Sequence, residues 1–234
     1  MENDKVSHYG TRSIYRHNQI STPMNKFSFK VLLIFLCHTA MAQDRVFTPD
    51  LSKVKDTTKW VIVNREVSYD GTLNFQPKDV EEPVWLKNYS FSNGRIDVDI
   101  KGENLQGQSF VGIAFHVIDN KTYDAIYFRP FNFLNPERNT HSVQYISQPD
   151  NPWKKLRDQF PDKYESKISS PPDPNGWFHV SIEVNYPKVS VYVNNEKTPS
   201  LIVEQLSTRK KGSVGVWAGY MSRGQFKNLK ITPK

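Results

Sequence analysis

The segment WFHVSIEVN, residues 177–185, alternates strictly. Phe178, Val180, Ile182 and Val184 are apolar, and His179, Ser181 and Glu183 between them are polar. A period of two sends the two sets to opposite faces of a strand, one packed and one in water. The pattern recurs at 60–64, 82–88, 94–102, 110–119, 123–131 and 141–147, and again at 188–195, 200–206, 212–220 and 224–233. Most of these runs are separated by Gly, Pro, Asn or Asp, which break strands and build turns. Many short strands at this spacing predict an all-β sandwich. Two hairpins are explicit, with Asp119–Thr122 joining one pair of strands and Asn185–Lys188 joining another.

One helix interrupts the pattern. In NPWKKLRDQF, Asn151 is placed to cap, Pro152 to open the first turn and Pro161 to stop it, with Trp153, Leu156 and Phe160 on one stripe.

The N-terminal region follows other rules. From Met24 the chain reads MNKFSFKVLLIFLCHTAMAQ: Lys26 and Lys30 precede a short apolar core, and Ala40-Met41-Ala42 is a small-x-small site. This is the signature of a secretory signal peptide cut after Ala42, and it predicts an exported protein, periplasmic or extracellular. Residues 1–42 are therefore set aside as lead and signal, leaving one domain over 43–234 with no stable membrane span. Removing the five Lys and Arg and the two Asp and Glu of that leader lowers the formal net charge from +7 to +4. So mild a balance, with no basic run longer than Arg209-Lys210-Lys211, argues against nucleic acid as a partner. The single cysteine, Cys37, falls inside the leader, so the domain has no disulfide and must be held by its core.

Alternation also nominates a site. If Ile126 and Phe128 point into the core, Ala125, Tyr127 and Arg129 point out together. On the preceding strand Gly112, Ala114 and His116 face out. On the strand at 212–220, Ser213, Gly215, Trp217 and Gly219 do the same. Small residues let a ligand approach the backbone, while Trp, Tyr, Arg and His supply stacking and hydrogen bonds. A sugar, with an apolar C–H face and a rim of hydroxyls, suits such a surface. His116, Tyr127, Arg129, Gln144 and Trp217 are the expected floor, with Arg138, His141 and Trp153 toward the rim. The catalytic residues stay open. Asp97 and Asp99, at i and i+2, have the spacing of a carboxylate pair but follow the ordinary pattern of a wet strand face, and Asp124 and Glu165 are alternatives. The sequence holds no HExxH, no phosphate loop and no GxSxG elbow, so neither metal nor cofactor is expected.

The runs FVGIAFHVIDNKTYDAIYFRPFNF, HSVQYIS, WKKLRDQFPDKYE and GSVGVWAGYMSRGQFKNLKI together resemble the concanavalin A-like lectin/glucanase superfamily, in particular its laminin-G-like and 3-keto-disaccharide-hydrolase-like domains of exported bacterial proteins. The resemblance implies a jelly-roll β-sandwich of two curved antiparallel sheets with a ligand groove on the concave one. It implies a carbohydrate-binding domain or, alternatively, a glycoside-hydrolase-like enzyme or a non-catalytic adhesion module. Some members hold calcium at the rim, and no acidic cluster here marks such a site. The glucanase branch carries Glu-x-Asp-x-x-Glu on one strand. RIDVDIKGE lacks the first glutamate and has different spacing, so glucanase chemistry is not expected.

Overall fold

The computed structural model describes residues 45–234. The expected leader and its cysteine lie outside the described residues. Fourteen strands form two seven-stranded antiparallel sheets packed face to face, a jelly-roll β-sandwich of concanavalin A-like type with one short helix. The strands are β1 (Trp60–Val61), β2 (Val67–Tyr69), β3 (Leu73–Phe75), β4 (Glu82–Leu86), β5 (Gly94–Lys101), β6 (Val111–Val117) and β7 (Tyr123–Phe128). They continue as β8 (Val143–Gln148), β9 (Glu165–Ser166), β10 (Trp177–Asn185), β11 (Lys188–Val193), β12 (Leu201–Glu204), β13 (Ser213–Ala218) and β14 (Gly224–Pro233). The first sheet runs β1-β4-β13-β6-β7-β8-β9 and the second β12-β11-β10-β5-β14-β3-β2. Among the described residues no helix is long and apolar enough to cross a membrane.

The core lies between the sheets, where the alternation placed it. Ile96, Val98 and Ile100 of β5 meet Phe178, Val180 and Ile182 of β10 in register. All six are buried. Opposite them, Ile113, Ile126 and Val216 fill the inner face of the first sheet. Phe128 reaches across to Phe178 with ring centroids 5.3 Å apart, edge to face.

The outer faces of the two sheets differ. On β5 the outward Arg95, Asp97, Asp99 and Lys101 remain partly exposed. Asp97 and Asp99 are spent there on a surface network. Arg95 donates to Asp97, while His179 Nδ1 lies 2.7 Å and Asn228 Nδ2 2.6 Å from Asp99. Strands β6, β7 and β13 are instead buried along their whole length on both faces. Loops, and the helix α1 (Trp153–Gln159), cover the outside of that sheet.

Several local expectations differ from the structure. The first predicted strand shrinks to β1, and 67–69, 73–75 and 165–166, too short to show a period, are strands as well. The helix begins at Trp153, with Pro152 as its cap residue. His116 departs most. It takes a left-handed conformation, φ +49°, inside a bulge of β6 opposite Ser213–Gly215. One extra residue reverses the facing of the side chains beyond it. The ring is therefore fully buried beside Phe91 and Phe115, not on the outer face.

Gly112 marks the tightest approach in the first sheet. A Cβ there would collide with the carbonyl oxygen of Ile126 and stand 2.6 Å from Tyr127 Cα, both backbone atoms that cannot step aside. Gly112→Ala should therefore cost about 2 kcal/mol or more in urea unfolding, far beyond a surface substitution. A loss within about 0.5 kcal/mol would show that β6 and β7 are not held this close.

Candidate functional site

Antiparallel register sets a row across six strands: Pro83, Trp217, Gly112, Tyr127, Gln144 and Glu165. Directly paired residues share a face, so these side chains emerge together on the outside of the first sheet. Gly112, with no side chain, lets the Tyr127 and Trp217 rings come within 5.0 Å of each other. The neighbouring row on that face, Gly215, Ala114, Ala125 and Ile146, is small apart from its last member.

The expected open platform is roofed. Tyr127 and Trp217 are each only 2% exposed, and they floor a hollow of about 270 Å³ walled by Phe110, Trp153, Tyr220 and Glu81. None of these walls except Trp153 was nominated from sequence. Glu81 comes from a loop, and Phe110 and Tyr220, at the ends of the predicted runs 110–119 and 212–220, stand just outside the observed strands. Each is pinned to the sheet. Trp217 Nε1 donates to Tyr123 Oη at 3.0 Å, and that hydroxyl donates to the Glu81 carbonyl at 2.8 Å. Arg65, buried, donates to the carbonyls of Val80 and Ala218 and so ties the Glu81 loop to the end of β13. Ser222 Oγ accepts from Phe110 N, and the Phe110 carbonyl accepts from Gly219 N.

On the other side of Phe110 and Trp153 lies an adjoining hollow of about 210 Å³, lined by Arg129, Arg138, His141 and Arg157 among others. The two share Gly107, Phe110 and Trp153. Arg129 stands between the two hollows. Its guanidinium lies 4.8 Å from the Tyr127 ring centre and donates to Tyr127 Oη, Gln144 Oε1 and the His141 carbonyl. Gln144 is fully buried and lines neither hollow. It accepts from Tyr127 Oη at 2.9 Å and donates to the Trp153 carbonyl at 3.3 Å, so it positions the floor.

Thus Tyr127, Trp217, Trp153, Arg129, Arg138 and His141 line the adjoining hollows, Gln144 sits behind them, and His116 lies elsewhere. His116 Nε2 donates to the Ser92 carbonyl at 2.8 Å, leaving Nδ1 to accept from Gln205 at 3.0 Å. Burial holds its pKa below the ordinary value. Asp124 is also interior. It accepts from Tyr145 Oη at 2.6 Å and from Arg209, and takes no part in the hollow. Among the described residues no group of three or more His, Cys, Asp or Glu is placed to hold a metal.

Electrostatics divide the two hollows. Burial raises the Glu81 carboxyl above its ordinary 4.5, against the pull of Arg129 and Arg65. Burial also pushes the Tyr127 phenol up to about 12, so it remains a neutral donor. Glu165 behaves oppositely. Burial would raise it, but two hydrogen bonds from Arg157, at 2.8 and 2.6 Å, with the charges of Arg157, His141 and Arg129, hold it below 4.5. His141 Nδ1 stands 3.0 Å from Glu165 Oε2, off the line of a good hydrogen bond. A third hollow, about 340 Å³ on the second sheet, is lined by Asp70, Lys101, Glu103 and Arg223. It has one aromatic, Phe75, against the five that line the first hollow, and its lining is otherwise polar and charged.

The profile of the 3-keto-α-glucoside-1,2-lyase-like domain matches residues 51–232. The chain belongs to this family. Solved structures agree on the architecture of this lyase-like domain. A carbohydrate-binding module from Bacillus subtilis is 16% identical, with a TM-score of 0.54 over 74% of this chain and 95% of its own. A candidate glycosyl hydrolase from Parabacteroides distasonis is 14% identical, with a TM-score of 0.52 over 80% and 94%. A Bacillus subtilis protein of galectin-like fold is 11% identical, with a TM-score of 0.54 over 80% and 94%. At these identities the likeness is one of fold. No curated protein compared with this lyase-like domain matches it.

The pairing of Glu165 with Arg157 and Arg129 carries a pH signature. Its pKa is depressed in the folded state, so the stabilisation is present above 4.5 and is lost as pH falls through the folded value. Glu165→Gln should cost about 3 kcal/mol at pH 7, since it leaves buried Arg129 and half-buried Arg157 without their counter-charge. The gap to wild type should narrow as acid protonates Glu165 in the parent. A gap that stayed constant from pH 7 down to pH 3, on denaturant titration, would contradict the assignment.

Proposed function

We propose that this lyase-like domain binds a carbohydrate in the aromatic hollow over Tyr127 and Trp217. The observation that carries the reading is the composition of that hollow. Five aromatic side chains, Tyr127, Trp217, Phe110, Trp153 and Tyr220, line it with one carboxylate, Glu81. Ring faces match the apolar C–H face of a pyranose, and a lone carboxylate can take its hydroxyls. Membership of a family named for a glucoside lyase supports the same class of ligand. The leader pattern over 24–42 supports encounter with that sugar outside the cytoplasm. Recovery of the tagged protein solely from the cytoplasmic fraction would refute that part.

A second reading is favoured by Glu81 itself. A hydrogen on the carbon beside a ketone is acidic enough for a carboxylate to remove. In a 3-keto glucoside that hydrogen is on C2. Elimination would transfer it to Glu81, form the C1–C2 double bond and break the bond from C1 to the glycosidic oxygen, which takes a proton from water. Glu81 is the only carboxylate lining the aromatic hollow, and burial raises its pKa above the ordinary carboxylate value, which makes it a stronger base.

Calorimetry against di- and oligosaccharides tests the binding reading. Tyr220→Ala, at a 47% exposed wall position where folding should be untouched, is expected to weaken binding by about tenfold. Absence of binding to every plain and oxidised sugar would overturn the reading. For the lyase, Glu81→Gln should lower turnover of a 3-keto disaccharide at least about 100-fold while binding persists. Lack of turnover by the wild type would leave a binding domain alone.

A further inference from the structure

The second hollow holds an imbalance of charge. Arg129 enters it from the end of β7, Arg138 and His141 from the 3-10 turn at Asn139–His141, and Arg157 from α1. No Asp or Glu lines it. The carboxylate in direct contact, Glu165, has a side chain 2% exposed behind the wall and is taken up by the two bonds from Arg157, while Glu81 acts on Arg129 only from the neighbouring hollow. Glu165 lies 3.6 Å from Arg129, beyond a hydrogen bond. Of the three guanidinium groups, Arg157 holds that carboxylate, Arg129 stands near it, and Arg138 makes no ion pair with it.

Hydrogen bonding is unfinished at the same place. Arg138 makes no side-chain hydrogen bond or ion pair among the described residues, and its Nε is buried without a partner. His141 Nδ1 and Asn132 Oδ1 are also unpartnered. Arginine keeps its charge under burial, and its planar fork matches a carboxylate or sulfate bidentately. Half-buried Arg138, with a buried donor left over and facing a hollow, is an anion site in waiting.

The site also has a direction. Trp153 separates the hollows and stacks near both Arg157, at 5.1 Å, and Arg129, at 6.0 Å, with its indole shared by both linings. A ring lying on Tyr127 and Trp217 would place a substituent past Trp153 among the arginines.

We propose that the ligand is a sugar bearing an anionic group, a uronic acid carboxylate or a sulfate ester, with that group held by Arg138, Arg129 and Arg157. This deepens the carbohydrate reading and rests on it. The test is calorimetry on the full chain with four probes. They are a glucose disaccharide, its counterpart with one glucuronic acid ring, a 6-sulfated glucose disaccharide, and sodium sulfate. At least one acidic disaccharide should bind about tenfold or more tightly than the neutral one, as expected for charge-assisted hydrogen bonds. Which of the two wins identifies the carboxylate or the ester as the anion. Raising the salt concentration should shrink that ratio in the wild type, a readout independent of any variant. Arg138→Gln should bring the ratio to about one. Equal affinity for neutral and acidic sugars would overturn the proposal and leave the carbohydrate site standing. Binding of none of the sugars would overturn both. Sulfate held as tightly as the acidic disaccharides would also overturn it, because the hollow would then recognise a free anion.

Discussion

Six residues on six neighbouring strands, Pro83, Trp217, Gly112, Tyr127, Gln144 and Glu165, form a line about 24 Å long at the usual inter-strand spacing. Its middle is a glycine because the strands on either side come too close for a Cβ. That close approach brings Tyr127 and Trp217 together into a floor and lines up Gln144 and Glu165 to hold it. Both ends of the candidate site hang on this register. A slip by one residue would turn the aromatic floor into the core and the core outward.

Burial of Arg129 couples the line to its surroundings. A 4% exposed guanidinium is costly unless its donors are met, and here a phenol, an amide and a carbonyl meet them while Tyr127 presents its ring face. Glu165 supplies the balancing charge from β9, a strand of two residues that exists in the sheet through its pairing with β8. The cost of burying this charge is therefore met by residues from β7, β8, β9 and the 3-10 turn at once, which keeps the wall of the hollow in one arrangement.

The sandwich was legible because a strand half in water announces its facing. In β5 and β10 the alternation maps directly onto buried and exposed positions. The outward placement of Tyr127, Arg129 and Trp217 followed from the same parity. His116 did not, since a bulge inserts one residue and reverses the count, and nothing in FVGIAFHVID marks it. Glu81 escaped because it stands in a loop, and Phe110 and Tyr220 because they lie at the ends of predicted strand runs, just outside the observed strands. Arg157 escaped because its role depends on Glu165, distant from the helix stripe that drew attention. An aromatic residue next to Gly at the end of a strand pattern, as Tyr220 is, is the faint signal that was present.

By itself the chain determined that there would be two antiparallel layers, which apolar residues would lie between them, and which aromatic and basic groups would leave the first sheet on its outer side. Period two is a local property, set by backbone geometry and the exclusion of water from one face. Only the tertiary structure decided that this outer side would be covered, that the cover would leave two adjoining hollows, and that one would be aromatic with a carboxylate and the other cationic. Those outcomes depend on where loops far apart in sequence land, Glu81 against Tyr123 and Phe110 against Ser222, and such contacts are fixed by the packing of the whole domain.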